Sequence, residues 1–147
     1  MTLNVDLAHM GYVVRDLAPA IKRFEREGGV LILEPTPDPI QGVHVCVLRV
    51  DGVVDIELVA PIFAGSSPVD SRLARGGGLD HVCYNVDSVA DALRQDENRG
   101  SMIVCPPTYA CAFQRTIGFA QRRSGLVVEF MSRERTPPPA GGDSADV

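Results

Sequence analysis

No stretch of the chain approaches the roughly 20 consecutive apolar residues that a membrane-spanning helix needs, so no membrane partner is expected. Positive charge is in deficit. The 14 Lys+Arg against 19 Asp+Glu leave a net charge of -5 and a pI near 5.1, which argues against a nucleic-acid backbone or an anionic membrane surface as partner. The opening residues Met1-Thr2-Leu3-Asn4-Val5-Asp6 lack a basic segment followed by an apolar one. No secretory leader is read there, and the cytoplasm is the expected location. There are only 4 cysteines and no C-x-x-C pair, which removes the zinc knuckle and the thioredoxin-type redox motif. Cys46 and Cys83 lie in apolar, strand-like runs, where cysteine serves as a small hydrophobe. Four reduced thiols are therefore expected rather than a disulfide framework. With 147 residues, 45% of them hydrophobic, the chain can form one well-buried domain or two small modules that share a core.

What the sequence does contain is a repeat. Shifted by 72 residues, Leu7–Val59 aligns without a gap on Leu79–Met131. Leu7-Ala8-His9-Met10-Gly11-Tyr12-Val13-Val14 falls on Leu79-Asp80-His81-Val82-Cys83-Tyr84-Asn85-Val86, and Ile56-Glu57-Leu58 falls on Val128-Glu129-Phe130. Each copy opens with an alternating, strand-like segment around its histidine. In the first copy Asp16 caps a helix that carries Leu17, Ile21 and Phe24 on one face; in the second Ser88 is the cap, and Val89, Ala92 and Leu93 face inward. Gly28-Gly29 and Gly100 end the two helices. Three strand-like runs follow in each copy: Val30–Leu33, Val43–Val50 and Asp55–Val59, then Met102–Cys105, Thr116–Arg122 and Leu126–Met131. Asp51-Gly52 and Ser124-Gly125 supply hairpin turns.

The expected fold class is thus α+β, two βαβββ modules in tandem whose sheets meet in a cupped, barrel-like arrangement around a cleft. The first module covers residues 1–63, a linker with Gly- and Pro-marked loops covers 64–78, the second module covers 79–132, and 133–147 reads as a disordered tail.

Within the repeat, one histidine and one glutamate occupy equivalent positions. His9 and Glu57 are 48 residues apart (57 − 9), as are His81 and Glu129 (129 − 81). A chain with only 3 His places two of them at matching positions. Each glutamate sits in an apolar strand, where a carboxylate is costly unless it is paired or bound to a cation. Taken singly, each glutamate reads as a residue on the solvent face of an edge strand and each histidine as a hydrogen-bonded core residue. Taken as a matched set, His9, Glu57, His81 and Glu129 read as the ligands of one divalent metal ion (Co, Mn, Ni, Zn or Fe), with two positions left for water or substrate oxygens.

The segments Ala8-His9-Met10-Gly11-Tyr12-Val13-Val14-Arg15-Asp16-Leu17, Ile56-Glu57-Leu58-Val59-Ala60-Pro61, Gly78-Leu79-Asp80-His81-Val82-Cys83-Tyr84-Asn85-Val86 and Gly125-Leu126-Val127-Val128-Glu129-Phe130 together resemble the vicinal oxygen chelate superfamily. The likeness is greatest to its methylmalonyl-CoA epimerase and glyoxalase-like branch and covers roughly Leu7 to Met131. It implies a metal-dependent enzyme in which two neighbouring substrate oxygens chelate the cation and an enolate is stabilised after loss of an α-proton. Glu129 matches the position of the glutamate that moves the proton. Epimerases of the group carry a second carboxylate on a middle strand of the first module. Here that region reads Gln41-Gly42-Val43-His44-Val45-Cys46, which leaves His44 as the available acid or base. Arg115 matches a common arginine of the group. The usual His-Pro-Lys before the last strand is replaced by Gln121-Arg122-Arg123-Ser124, so Arg122 and Arg123 are candidates for holding a phosphate or carboxylate or for a solvated turn.

The expected function is a metal-dependent isomerase or epimerase acting on an acyl thioester or related carbonyl compound. The substrate is a small molecule, with a CoA thioester, a carrier-protein thioester and a free acid all open. A glyoxalase-type lyase uses the same ligand types and is the enzyme alternative. A non-catalytic binding or resistance protein on the same fold is the alternative from another class, and an intact ligand set counts against it. Glu57, as an extra carboxylate, counts against a ring-cleaving dioxygenase. Two near-equal modules can also pair across chains, so a homodimer stays open.

Overall fold

The computed structural model describes residues 4–140. The two copies of the repeat build the same four strands and one helix: β1 (Asp6–Val13), α1 (Leu17–Arg26), β2 (Val30–Asp38), β3 (Val43–Val50) and β4 (Val54–Pro61), then β5 (Gly78–Val86), α3 (Val89–Asn98), β6 (Met102–Ala110), β7 (Arg115–Gln121) and β8 (Val127–Ser132). The sheets do not face each other as separate layers. They join edge to edge into one curled half-barrel of order β2-β3-β4-β1-β5-β8-β7-β6. The joint is the antiparallel pairing of the two first strands, β1 and β5. On either side of it β1 runs parallel to β4 and β5 parallel to β8.

Strand alternation sorts side chains between the two faces. On the outer face Cys46, Leu48, Ile56, Leu58 and Ala60 pack with Ala20, Leu17, Ile21 and Phe24 of α1. Val128, Phe130 and Ala120 pack with Val89, Ala92 and Leu93 of α3 in the same way. The inner face is lined by Val13, Val43, Val45 and Val59 in one module and by Cys83, Ala110, Ile117 and Met131 in the other. Ser88 caps α3 by accepting from Asp91 N at 3.2 Å, whereas Asp16 at the head of α1 makes no side-chain cap bond. All four cysteines are free, and Cys46 and Cys83 are fully buried. Burial drives the Cys46 thiol up to about 12, with the charges of Glu57 and Glu34 adding to the shift, so it is an inert core group. The Asp51-Gly52 turn is left-handed at both residues, φ 54 and 65, as a two-residue hairpin requires.

Three expectations change. Strands β2 and β6 run beyond the expected Leu33 and Cys105 to Asp38 and Ala110, through Pro35, Pro37, Pro106 and Pro107. Both are edge strands of the sheet, where a proline N without hydrogen interrupts no ladder on its open side. The linker is not loop throughout, because Asp70–Ala74 form a short helix, α2. Residues 133–136 of the expected tail are tied down: Arg133 donates to Asp87 Oδ1 at 3.1 Å and to Asn4 O at 2.9 Å, and Thr136 N donates to Gln114 O at 2.9 Å. Residues 141–147 lie outside the described residues. Among those described, no helix is long and apolar enough to cross a membrane.

One buried carboxylate links the modules away from the central strands. Asp38, 1% exposed, accepts from Gln41 N at 3.0 Å and Gln41 Nε2 at 2.8 Å within its own module, and from Cys111 N of the other module at 2.8 Å. Removing it orphans partly buried donors on both sides. Asp38→Ala is therefore expected to lower unfolding free energy by about 3 kcal/mol, read as a shift of the urea midpoint. A change under about 0.5 kcal/mol, ordinary for a surface position, would show that Asp38 is not a joint.

Candidate metal centre

The register of the central strands decides where the four candidate ligands meet. Gly11 on β1 lies between Glu57 on β4 and His81 on β5. In the mirrored row Cys83 on β5 lies between His9 on β1 and Glu129 on β8. Each row thus reads Glu, small residue, His, and the two run in opposite senses, as a pseudo-twofold axis between β1 and β5 demands. All four side chains point to the inner face and are buried: His9 2%, Glu57 5%, His81 6% and Glu129 3% exposed.

Their ligand atoms lie within 4.8 Å of one another. His9 Nε2 is 3.0 Å from Glu129 Oε1 and 3.4 Å from Glu57 Oε1. His81 Nε2 is 3.2 Å from Glu129 Oε1 and 3.4 Å from Glu57 Oε1. Donors bonded to one ion at about 2.1 Å stand roughly 3.0 Å apart when adjacent at right angles, so these spacings suit a shared cation. A hydrogen-bonded cluster without metal would produce similar distances. Two features favour the metal. His81 Nε2 is buried and, although 3.2 Å from Glu129 Oε1, makes no well-aligned hydrogen bond, so its lone pair is better completed by a cation than by the carboxylates alone. Its other nitrogen, Nδ1, stands 2.9 Å from Asp80 Oδ2, the carboxylate–histidine arrangement that fixes a metal-binding imidazole with Nε2 facing the ion. Around the centre, Phe113 stacks on the His9 ring at 5.3 Å and Phe119 meets the His81 ring edge-on at 5.2 Å. The cluster is therefore able to hold a divalent cation. It is closed by residues of a single chain.

Electrostatics of the ligand set follow from mutual proximity. Burial alone would depress His9, but the Glu57 charge and hydrogen bonds to Glu129 and Glu57 override it and raise the imidazole from 6.5 to about 9. His81 is likewise opposed by burial and raised well above 6.5, by Asp80, Glu129 and Glu57. Burial would raise both glutamates, yet the two histidines hold them below the usual carboxylate range.

A cavity of about 530 Å³ opens onto Glu57, His81 and Glu129, and Phe113 and Phe119 also line it. A second hollow, about 510 Å³, reaches His9 from the other side. Only some of the residues singled out from sequence fall here. Val43 and Val45 line the cavity, and Cys46 packs under α1, so alternation turns His44 to the outer, helix-covered face. The acid–base role expected of His44 has no geometry behind it. Arg115 borders the second hollow, where its Nη1 donates to Ser132 O at 3.1 Å and to Arg133 O, an anchor for the end of β8. Arg122 pairs with buried Asp96 of α3 at 3.1 Å, and exposed Arg123 reaches Gly100 O at 3.4 Å. Neither borders the cavity. Its arginines are Arg72 and Arg75, from the segment expected to be loop. Sequence reading also passed over Asp80 and Gly11, although both lie inside the motifs that carry the histidines.

Gly11 is required for space. A Cβ there would stand 2.0 Å from His81 Cε1 and 2.4 Å from both ring nitrogens. Gly11→Ala is expected to push the ring out of register and weaken metal binding roughly tenfold to a hundredfold, while Cys83→Ala in the mirrored row changes it by less than about threefold. Competition with a chromophoric chelator measures both, and equal effects would refute the spacing argument.

A second expectation concerns protons. Raised histidines stabilise the metal-free fold fully below about pH 6.5, and that contribution is lost as pH climbs through about 9 for His9. Lowered glutamates contribute above their ordinary 4.5, and this is lost as pH falls through their depressed values. Metal needs neutral imidazole, so loading at pH 7 is expected to expel roughly one to two protons. Calorimetry in buffers of different ionisation enthalpy counts them, and a count of zero would contradict the charged cluster.

Comparison with known proteins agrees with this fold. The profile of the Glyoxalase/Bleomycin resistance protein/Dioxygenase superfamily matches residues 8–119. No curated protein sequence gives a significant match. Among solved structures, methylmalonyl-CoA epimerase from Mycobacterium tuberculosis is 25% identical, with TM-score 0.74 over 90% of this chain and 88% of that one. A variant of the Streptomyces coelicolor methylmalonyl-CoA epimerase, in complex with 2-nitronate-propionyl-CoA, is 20% identical with TM-score 0.77 over 94% of this chain and 100% of that one. A hypothetical protein from Bacillus halodurans C-125 is 20% identical with TM-score 0.77, over 92% and 99%. Matched in profile over most of its length, and in fold to these structures, the chain belongs to the glyoxalase/bleomycin resistance protein/dioxygenase superfamily.

Proposed function

We propose that this protein is a divalent-metal-dependent isomerase or epimerase that moves the α-proton of a small acyl thioester or related carbonyl compound. The observation that carries the reading is the intact His9–Glu57–His81–Glu129 set, three members of which line one cavity of about 530 Å³. Structural likeness to methylmalonyl-CoA epimerases, one of them in complex with methylmalonyl-CoA, supports a CoA thioester as the substrate type. A bound divalent cation would polarise the carbonyl and stabilise the enolate left after proton loss.

The remaining work belongs to the chain's own groups. Glu129 is held ionised by the two imidazoles and accepts the α-proton at a carboxylate oxygen. Glu57, its counterpart in the first module, is the second ionised group on the same cavity wall; it takes up a proton from solvent through the cavity and passes that proton to the carbon. It thus stands in for the middle-strand carboxylate that this sequence lacks. Asp80 keeps the His81 ring oriented, and the Phe113 and Phe119 rings keep water away from the enolate. That lack, with His44 on the outer face, favours as second reading a glyoxalase-type lyase. There one carboxylate shuttles a proton between neighbouring carbons of a thiohemiacetal and opposite-face delivery is not needed.

Metal-loaded protein incubated with methylmalonyl-CoA in deuterium oxide is expected to exchange the α-proton, followed by NMR. Glu129→Gln is expected to slow the exchange at least about a hundredfold. Wild-type protein that carries metal yet exchanges nothing would sink the epimerase reading, and turnover of a thiohemiacetal in its place would establish the lyase.

A further inference from the structure

The cavity in front of the ligand set has a charged wall that the proton chemistry does not use. Arg72 lies within α2 and Arg75 directly follows it, and both line the same cavity as Glu57, His81 and Glu129. The ion pairs of the described arginines belong to Arg49, Arg94, Arg122 and Arg133. Among the described residues neither Arg72 nor Arg75 has one. Arg72 is half-buried, and its Nε is shut off from solvent with no hydrogen-bond partner. An arginine N–H deprived of both water and acceptor is destabilising, and guanidinium is a donor-only group whose natural complement is a planar or tetrahedral oxyanion.

Other charges in the cavity wall are already satisfied. Asp38 is occupied by Gln41 and the Cys111 backbone, Asp80 by His81, and the two glutamates by the histidines. A cation at the C-terminal end of a helix can be explained by the helix dipole alone. Here α2 is a single 5-residue turn, and a dipole effect leaves Arg72 Nε unpartnered all the same.

We infer that Arg72 and Arg75 form an oxyanion subsite, and that the substrate carries a phosphate or carboxylate remote from the carbonyl that reacts at the metal centre. The inference rests on the metal-centred reading for its substrate but on the arginines alone for its site. It also moves the anion-holding role from Arg122 and Arg123 to a segment that belongs to neither repeat.

The test uses full-length protein labelled with nitrogen-15, both chelator-treated and metal-loaded, titrated with inorganic phosphate, pyrophosphate and succinate. The expected result is a saturable shift of the Arg72 Nε–H resonance in the metal-free protein. Affinity, measured separately by equilibrium dialysis, is expected to fall roughly tenfold or more in Arg72→Gln and in Arg75→Gln, with metal content unchanged. Phosphate or pyrophosphate acting alone assigns a phosphoryl group, and succinate acting alone assigns a carboxylate. The inference is overturned if no anion moves Arg72. It is overturned equally if anions bind only the metal-loaded protein, or bind both variants as tightly as wild type, because they then sit elsewhere. Metal uptake is scored independently in the same samples, so a failed metal centre and a failed anion subsite give different results.

Discussion

Four ionisable side chains buried against one another are the constraint around which the rest of this fold is organised. Isolated, any of them would be costly to bury. Together, alternating His and Glu, they hold each other charged. The fold provides that alternation through the β1–β5 pairing, which sets one Glu–small–His row antiparallel to the other. The outer-face helices supply the apolar burial that keeps both half-sheets rigid, so the inner face can carry polar chemistry. Asp38 adds a second tie between modules at the cavity rim.

Pseudosymmetry explains what is duplicated, and its breakdown points to what is specific. The ligands repeat in both modules, as do the hairpin turns and the covering helices. Gly11 and Cys83 occupy equivalent positions, but only the glycine is pressed directly by an imidazole. Asp80 has Ala8 as its counterpart, so one histidine receives a carboxylate partner that the other lacks. The segment carrying α2 has no counterpart among the described residues. It is this unrepeated element that brings Arg72 and Arg75 to the cavity. In the proposed reading the metal chemistry sits on the symmetric part of the duplicated scaffold, and the anion subsite on what departs from symmetry.

Much of the fold was legible because the repeat is ungapped and each module's alternation is strong. The candidate ligand set followed from two equal 48-residue spacings. Strand ends misled where prolines fell on β2 and β6, since edge position is a property of the whole sheet rather than of the local run. His44 misled for a similar reason. Its residue type suits proton transfer, but which face it takes depends on register, and one residue of register separates the cavity from the underside of a helix. Arg122 drew notice by its place before the last strand, whereas its partner Asp96 lies in a helix 26 residues away.

By itself the sequence determined the duplicated βαβββ plan, the absence of any disulfide requirement and the identities of His9, Glu57, His81 and Glu129. These depend on periodicity and spacing, which a linear chain carries openly. Tertiary structure decided that the two sheets join through β1 and β5. It also decided that Gly11 makes room for an imidazole, that Asp80 orients one, and that Arg72 and Arg75 rather than Arg122 and Arg123 face the cavity. Those outcomes depend on which atoms approach across strands far apart in sequence, and close approach through space leaves no pattern in the order of residues.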